Sequence, residues 1–270
     1  MRYMSKLIIG LMLLSLTLLV LFTGCGKNIP TLQERKATAF SLSKEQNLQE
    51  RIYQTPFNLL SYQTSLQGCE NINIFIEGDG LAWVTKHTVS SNPTPLNPVG
   101  LKLMLKNNSA CKLYLARPCQ YIDSQMCEKK YWTSHRFNEK VIESYVKVLD
   151  EIKSMYKNKS FILHGYSGGG VIATIVSTKR EDVKTLVTYA GNLDTDKWTT
   201  LHKITPLTGS LNPADFTQNL QNLPQTHYVG IKDKVIPIEI FQSFCSKFTH
   251  RHNIKLILLD STHTNIAEKF

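Results

Sequence analysis

One stretch of the chain has apolar residues at helical spacing, on one face of a helix. These positions are Val141, Ile142, Tyr145, Val146, Val148, Leu149, Ile152 and Tyr156. Apolar residues three and four apart recur on the same side of a helix. The spacing therefore predicts an amphipathic helix over residues 141–157, with one buried face.

Shorter apolar runs before and after this stretch have the length of strands. They are "NINIFIEGDG" (71–80), "CKLYLARPC" (111–119), "SFILHGYS" (160–167), "VKTLVTYAG" (183–191), "THYVGI" (226–231) and "IKLILLD" (254–260). Helical stretches at 168–178 and 238–248 separate some of them. Apolar strands that alternate with helices predict an α/β fold, with a mostly parallel central sheet flanked by helices.

Two segments depart from this alternation. Residues 25–56 are polar, which predicts a lipid-anchored tether and entry segment, so the folded domain is expected over residues 57–270. Residues 193–225 follow the strand that ends near Gly191 and carry Trp198 and several prolines. Insertions of this length are usually functional or disordered, and we interpret this one as a cap over the site.

The N-terminus has the pattern of an export signal. Arg2 and Lys6 precede an apolar run that ends at Thr23-Gly24-Cys25, which predicts a signal peptide over residues 1–24. The end of the run resembles the lipobox of bacterial lipoproteins, in which cleavage leaves an acylated Cys25. An uncleaved membrane anchor is the alternative, but a run of about 16 residues is short for one.

The residue after the cysteine bears on location. It is Gly26 and not the aspartate associated with retention in the inner membrane of enteric bacteria. The resemblance therefore implies a protein of the bacterial cell envelope, held by its lipid in the outer membrane and facing the periplasm.

The chain is basic, with a formal net charge of +10. A basic surface favours anionic lipid headgroups or other acidic neighbours, although scattered solvated lysines explain the charge equally well. The sequence contains no zinc-finger spacing, basic helix or RNP-like segment. We therefore do not expect nucleic-acid binding.

Five cysteines remain once Cys25 is assigned to lipid, and an oxidising compartment permits disulfides among them. Cys119 and Cys127 are eight residues apart around a polar loop, and we expect them to pair. The pairing of the other three stays open; they are Cys69, Cys111 and Cys245. Without a CxxC motif or clustered histidines, no metal site is expected.

The glycine-rich sequence "HGYSGGG" (164–170) lies between a predicted strand and a predicted helix. It matches the nucleophile elbow G-x-S-x-G, in which Ser167 projects from a sharp strand-to-helix turn. It also matches the dinucleotide fingerprint G-x-G-x-x-A, but the acidic residue expected about 20 positions on is Thr188, with Asp194 only beyond the strand. A third interpretation is structural, in which the glycines permit close packing and the serine only caps the helix.

Two downstream loops supply the partners that a nucleophilic serine needs. "YVGIKDKVIP" (228–237) places Asp233 after one strand, and "LILLDSTHT" (256–264) places His263 after the last. Enzymes with a nucleophile elbow carry their catalytic residues in the chain order serine, acid, histidine. Both residues follow carboxyl ends of strands, where open α/β sheets build their sites. Asp260 lies too near the end of its own strand to be favoured.

Together, "HGYSGGG", "GIKDKVIP" and "DSTHT" resemble the α/β-hydrolase superfamily over about residues 57–270. The resemblance implies that Ser167 is the nucleophile, His263 the general base and acid, and Asp233 the orienting acid. Asp194 is a second candidate for the acid, because some members carry it after the preceding strand. The resemblance implies no metal and no organic cofactor.

The same resemblance implies an oxyanion hole made of two backbone amides. The first is the N–H of Gly168, at the start of the helix. The second comes from the loop after an early strand, which here is "IFIEGDGLAW" (74–83). The N–H of Asp79 is the first choice and that of Gly80 the second.

This loop departs from the usual pattern, because Glu77 stands where many members have a histidine. Glu77 and Asp79 place two acidic side chains beside an oxyanion hole. Each therefore needs either a neutralising partner or a functional reason to be there. Arg117 and Arg136 are candidate partners.

These features predict an extracytoplasmic serine hydrolase that cleaves carboxylic esters through an acyl-enzyme on Ser167. An esterase, lipase or thioesterase-like enzyme fits best, with a small-molecule or lipid-like ester as substrate, and a peptidase stays open. The alternative is a catalytically silent α/β-hydrolase-fold lipoprotein that acts as an envelope binding protein. Hydrogen-bond reach between successive members of the triad separates these hypotheses.

Overall fold

A computed structural model describes residues 29–270 of the chain. The predicted signal peptide over residues 1–24 and the predicted lipidation site Cys25 lie outside the described residues. Thr31–Phe270 form a compact unit. Within residues 29–270, no helix combines the length and the apolar character needed to cross a bilayer.

The described chain forms an eight-stranded sheet. Its strands are β1 (Gln49–Tyr53), β2 (Leu59–Gln63), β3 (Asn71–Ile76), β4 (Lys112–Leu115), β5 (Ser160–Tyr166), β6 (Val183–Tyr189), β7 (Gln225–Gly230) and β8 (Ile254–Leu259). They are ordered β1-β2-β4-β3-β5-β6-β7-β8. Strand β2 runs antiparallel to both of its neighbours, and every pair from β4 to β8 is parallel. The predicted mostly parallel sheet is therefore confirmed.

Helices flank the sheet, as predicted. They are α1 (Leu32–Glu45), α2 (Val99–Lys106), α3 (Glu139–Tyr156), α4 (Gly168–Thr178), α5 (Thr195–His202) and α6 (Ile238–Ser246). Helix α3 is the predicted amphipathic helix, and it begins where the Asn138 side chain accepts a hydrogen bond from the Lys140 amide. Helix α4 is buried almost throughout, which explains why its sequence is apolar on every side.

The packed unit starts upstream of residue 57, where we expected the domain to begin. Helix α1 starts with a capping box between Thr31 and Glu34, and strand β1 pairs with β2 along its whole length. The buried Arg35 side chain donates to the carbonyl oxygen of Asn92, 3.3 Å away. These elements were missed because α1 and β1 have few apolar residues to reveal their period.

The insertion at 193–225 contains helix α5 and two short 3₁₀ turns, and strand β6 ends at Tyr189 rather than at Gly191. The Gly209 carbonyl accepts from the Asn138 side chain at 3.0 Å, which ties the insertion to the start of α3. The Trp198 indole donates to the Val235 carbonyl at 2.8 Å, which ties it to the loop after β7. Its role as a cap stays a prediction.

Two disulfides join cysteines that lie near β3 and β4 in the sequence. Cys119 is joined to Cys127, the pair expected from sequence, and Cys69 is joined to Cys111. Cys245 has no disulfide partner among residues 29–270. Structural disulfides persist in oxidising compartments, so they indicate an extracytoplasmic protein.

Candidate active site

Ser167 occupies the sharp turn between β5 and α4. Its backbone has φ 51° and ψ −117°, a left-handed conformation that is strained for a residue with a side chain. The turn closes only because its neighbours are glycines: a Cβ on Gly165 would lie 2.4 Å from the Gly169 carbonyl oxygen. The Ser167 side chain makes no capping hydrogen bond to α4, so the structure does not support the interpretation in which the serine only caps the helix.

The side chains of Ser167, His263 and Asp233 form a continuous hydrogen-bonded relay. His263 Nε2 lies 3.0 Å from Ser167 Oγ, and His263 Nδ1 lies 2.7 Å from Asp233 Oδ2. With Nδ1–H donating to the carboxylate, Nε2 is free to accept the serine proton. The structure therefore brings together the three residues predicted as a triad.

Asp233 is held in place on both sides. Its Oδ1 accepts the backbone N–H groups of Val235 and Ile236, at 2.8 and 2.9 Å. Its side chain has no exposed surface, whereas the His263 side chain remains 13% exposed. The acid is thus fixed inside the protein, and the base faces the space in which a substrate would lie.

The other two candidate acids have different roles. Asp194 caps helix α5: its Oδ1 accepts the Lys197 amide at 3.1 Å, and its Oδ2 accepts the Ser243 hydroxyl at 2.6 Å. Asp260 forms a surface ion pair with Lys232 at 2.6 Å. Neither contacts His263, so the geometry favours Asp233 as the orienting acid.

Backbone amides converge beside Ser167. The N–H of Gly168 stands at the start of α4, where the helix dipole favours negative charge. A Cβ on Gly78 would lie 3.4 Å from Ser167 Cβ, so the loop after β3 borders the nucleophile. Among the described residues, neither the Gly168 amide nor the Asp79 amide donates to a protein acceptor. Their role as the two oxyanion donors stays a prediction.

Gly80, the second choice for this role, has a structural task. Its φ is +66°, and a Cβ there would lie 2.0 Å from the Pro93 carbonyl oxygen. The position needs glycine because the loop turns back sharply against the segment around Pro93.

The side chain of Asp79 is clamped between two arginines, an arrangement we call the Asp79 clamp. Arg117 Nη1 lies 2.8 Å from Oδ1, and Arg136 Nη1 lies 2.7 Å from Oδ2. Arg117 also donates to the Arg136 carbonyl at 2.6 Å, which locks the two arginines together. Burial alone would raise the pKa of Asp79, but the charges and hydrogen bonds of Arg136 and Arg117 outweigh it and lower that pKa below its ordinary value.

Glu77 has no arginine partner and is satisfied by backbone. Its carboxyl group accepts the N–H of Gly78 at 2.8 Å and that of Gly100 at 3.0 Å, and the Tyr114 hydroxyl donates to it at 3.2 Å. Burial raises the pKa of this carboxyl, although these hydrogen bonds work in the opposite direction. Glu77 therefore anchors the loop after β3 to the N-terminus of α2.

Sequence reasoning missed one residue that supports this loop. Gln120 is fully buried; its side chain donates to the Gly78 carbonyl at 2.9 Å and accepts the Arg117 amide at 3.1 Å. The flanking residues Cys119 and Tyr121 both have positive φ, as a tight turn requires. The only sequence signal was its place inside the expected Cys119–Cys127 loop.

Thr188 and Asp194, the residues considered for the acidic position of a dinucleotide site, both make other contacts. The Thr188 hydroxyl contacts His227 Nδ1 at 2.8 Å, and Asp194 caps α5. An acidic residue that could hold a ribose is therefore not provided at the end of β6. In residues 29–270, no three His, Cys, Asp or Glu side chains are grouped so as to hold a metal ion.

No protein-family profile and no curated protein matches the sequence. Solved structures do match it. The esterase Pf2001 of Pyrococcus furiosus superposes with a TM-score of 0.59 at 14% identity, over 84% of this chain and 89% of the esterase. A serine hydrolase homologue from Coxiella burnetii matches with a TM-score of 0.57 at 16% identity, over 82% of this chain and 93% of its own. Est1E from Butyrivibrio proteoclasticus matches with a TM-score of 0.54 at 14% identity, over 82% and 95%.

The chain has the α/β-hydrolase fold. At these sequence identities the structural likeness shows the fold alone. The role of each site residue therefore rests on the geometry of this chain.

Proposed function

We propose that this protein is an extracytoplasmic serine hydrolase that cleaves carboxylic esters through an acyl-enzyme on Ser167. The observation that carries the proposal is the relay from Ser167 Oγ through His263 to Asp233, with successive distances of 3.0 and 2.7 Å. A strained serine at the start of a helix, a histidine and a buried acid are the parts that nucleophilic acyl transfer requires.

In the first half-reaction, Ser167 Oγ attacks the ester carbonyl carbon while its proton passes to His263 Nε2. The carbonyl electron pair moves onto oxygen, and the amides of Gly168 and Asp79 stabilise that charge. The intermediate then collapses: the carbon–oxygen bond to the alcohol breaks, and the alcohol leaves with the proton from His263. Asp233 keeps the imidazole in the required tautomer and stabilises its cationic form.

In the second half-reaction, a water molecule takes the place of the alcohol. His263 removes a proton from the water as its oxygen attacks the acyl carbon. Collapse of this second intermediate releases the carboxylic acid and returns the proton to Ser167 Oγ. The net reaction is ester plus water giving acid plus alcohol.

Esters are proposed as substrates because of what the matched structures are called. One of the matched structures is called an esterase, and another is called a serine hydrolase homologue. Thioesters and peptides undergo the same chemistry, so substrate screening is the means to rank them. Small-molecule and lipid-like esters are the first two classes to compare.

The protein's proposed place is the cell envelope, with a lipid on Cys25 holding it to the outer membrane. Support comes from the two disulfides and from the lipobox-like sequence before Cys25. Cys25→Ser is expected to abolish incorporation of labelled palmitate and to move the protein out of the membrane fraction. Incorporation that survives this change would contradict the anchor.

The test of the activity is labelling of the full-length protein, purified in detergent, with a fluorophosphonate probe. We expect rapid labelling of the wild type and none of Ser167→Ala or His263→Ala, because both remove the activated nucleophile. The control is Ser246→Ala, an exposed serine of α6, which should label like the wild type. A folded wild type that does not label would contradict the proposal and favour a catalytically silent binding protein.

A further inference from the structure

The carboxylate of Asp79 lies directly beside the reacting centre. A Cβ added to Gly168 would lie 2.1 Å from Asp79 Oδ1 and 2.9 Å from Arg117 Nη1. Gly168 is the residue after the nucleophile, and its amide is one of the two proposed oxyanion donors. A carbonyl group bound there therefore has the Asp79 carboxylate as a neighbour.

The Asp79 side chain is also the most accessible of the three in its cluster. The Asp79 side chain is 22% exposed, whereas those of Arg117 and Arg136 are 5% and 8% exposed. Each carboxylate oxygen accepts one arginine N–H, and an ionised carboxylate offers about four acceptor directions in all. Hydrogen-bond acceptor capacity thus remains on this partly exposed side chain, in a group that two arginines prevent from rotating.

The charges around Asp79 restrict which donor fits. An ammonium group would bring a third cation beside Arg117 and Arg136. A carboxylate on the substrate would be repelled by the Asp79 carboxylate, whose side chain is more exposed than those of the two arginines. A neutral hydroxyl avoids both repulsions and can donate to the charged acceptor, which makes a strong hydrogen bond.

We infer that Asp79 is a specificity-determining residue and that the substrates are hydroxylated esters, with a neutral hydroxyl near the scissile carbonyl that donates to its carboxylate. The inference rests on the proposed function, because it uses the same carbonyl position. It adds a substrate class: esters of hydroxy acids or of polyols, in preference to plain alkyl esters.

The first experiment compares wild-type kcat/KM for three para-nitrophenyl esters of similar size. Their acids are β-hydroxybutyric, isovaleric and β-aminobutyric acid, so a hydroxyl is replaced by a methyl or an ammonium group. A second pair, hydroxyethyl butyrate and propyl butyrate, puts the hydroxyl on the alcohol side. Every rate is divided by the rate of hydroxide-catalysed hydrolysis of the same ester, which removes differences in intrinsic reactivity.

In at least one of the two positions, the hydroxylated ester is expected to exceed its methyl analogue by roughly 10- to 100-fold in kcat/KM, as for a hydrogen bond to a charged acceptor. The ammonium ester should be poorer than the hydroxyl ester. Equal values within both hydroxyl and methyl pairs would overturn the inference while leaving the hydrolase intact. Failure to hydrolyse any ester, with no fluorophosphonate labelling, would remove the proposed function and the inference together.

The second experiment measures the same ratio in Asp79→Asn. The ratio of hydroxyl to methyl ester is expected to fall toward one, because the charged acceptor is lost. Any damage to the nucleophile or to the oxyanion hole affects both esters and cancels in the ratio. The matched control is Glu77→Gln, an acid of the same loop that is buried and turned to backbone amides, which should keep the wild-type ratio. A ratio that stays high in Asp79→Asn would place hydroxyl recognition elsewhere and contradict the inference.

Discussion

Asp233 and His263 stand 30 residues apart in the sequence, yet their side chains meet at 2.7 Å with no exposed surface on the acid. Asp233→Asn should keep the shape of the site but favour the wrong tautomer of the imidazole. We expect kcat to fall by about 10⁴-fold, the magnitude known for such a change in a serine protease. Steady-state kinetics on a para-nitrophenyl ester measure it.

Asp194→Asn is the matched control for that change. It alters the other candidate acid, which caps α5 and does not touch His263. Asparagine caps a helix about as well as aspartate, so the change should cost little stability and have little effect on kcat. If Asp194→Asn instead had the larger effect on kcat, Asp233 would not be the orienting acid.

Two glycines of the elbow should respond differently to the same substitution. A Cβ on Gly169 would lie 2.3 Å from the backbone oxygen of Ile76, which cannot move without shifting a strand. A Cβ on Gly168 would meet side-chain atoms of Asp79 and Arg117, so it displaces the Asp79 clamp and not a strand backbone. Gly169→Ala is therefore expected to destabilise the fold by about 3 kcal/mol, and Gly168→Ala by less.

Thermal unfolding and the rate of fluorophosphonate labelling check this pair. Gly168→Ala should stay folded but label slowly, because it displaces the Asp79 clamp from beside the oxyanion donors. Wild-type labelling in Gly168→Ala would show that the clamp does not influence the reacting centre.

The Asp79 clamp should make stability depend on acid pH. The arginines lower the pKa of Asp79 below its ordinary value of 3.8, against the opposing effect of burial. A carboxyl with a lowered folded pKa contributes stability that is fully present above 3.8 and is lost as the pH falls through the folded pKa. At neutral pH, Asp79→Asn should cost about 2 to 4 kcal/mol, since it leaves two buried arginines without their counter-ion.

Urea unfolding of wild type and Asp79→Asn across this range tests the sign. The difference in free energy of unfolding should be largest near neutral pH and should shrink below 3.8. A difference that is constant with pH would mean that the carboxylate charge does not stabilise the fold.

Removing each of the two disulfides should affect stability and labelling to different extents. Cys119–Cys127 closes a short loop that holds Gln120 against the Gly78 carbonyl, whereas Cys69–Cys111 spans 42 residues and has no contact with the relay. Loop-closure entropy gives about 2 to 3 kcal/mol for the first and about 4 kcal/mol for the second. Replacing the first pair by serine should slow labelling, and replacing the second should lower the melting temperature further but leave labelling of the folded protein unchanged.

Gln120→Ala shows whether the first effect passes through Gln120. It removes the bond to Gly78 with both disulfides intact, and we expect it to lower kcat with little change in KM. An unchanged kcat would show that the loop does not position the oxyanion donors.

The sequence was most informative where chemistry depends on local pattern. The elbow around Ser167 and the loops of Asp233 and His263 follow recognisable strands, because each residue must stand at a strand end to reach the others. Strand β1 and helix α1 escaped prediction, since a polar edge strand and a weakly amphipathic helix leave little periodicity to detect.

Partners distant in sequence could not be predicted from it. Arg117 and Arg136 were candidates for either acid of the "EGDG" loop, and only the three-dimensional fold assigns both to Asp79. The helix α2 that receives Glu77 was not anticipated, so its amides could not be foreseen as the acid's partners. Such contacts depend on how loops pack, which local propensity does not encode.

Asp194 fastens the start of the 193–225 insertion through the Lys197 amide and through the Ser243 hydroxyl of α6, and the Trp198 indole of the insertion reaches the loop of Asp233 at the main-chain carbonyl of Val235. A main-chain acceptor is supplied by whatever amino acid occupies the position. Side chains of the insertion can therefore change without removing this contact to the loop that carries Asp233.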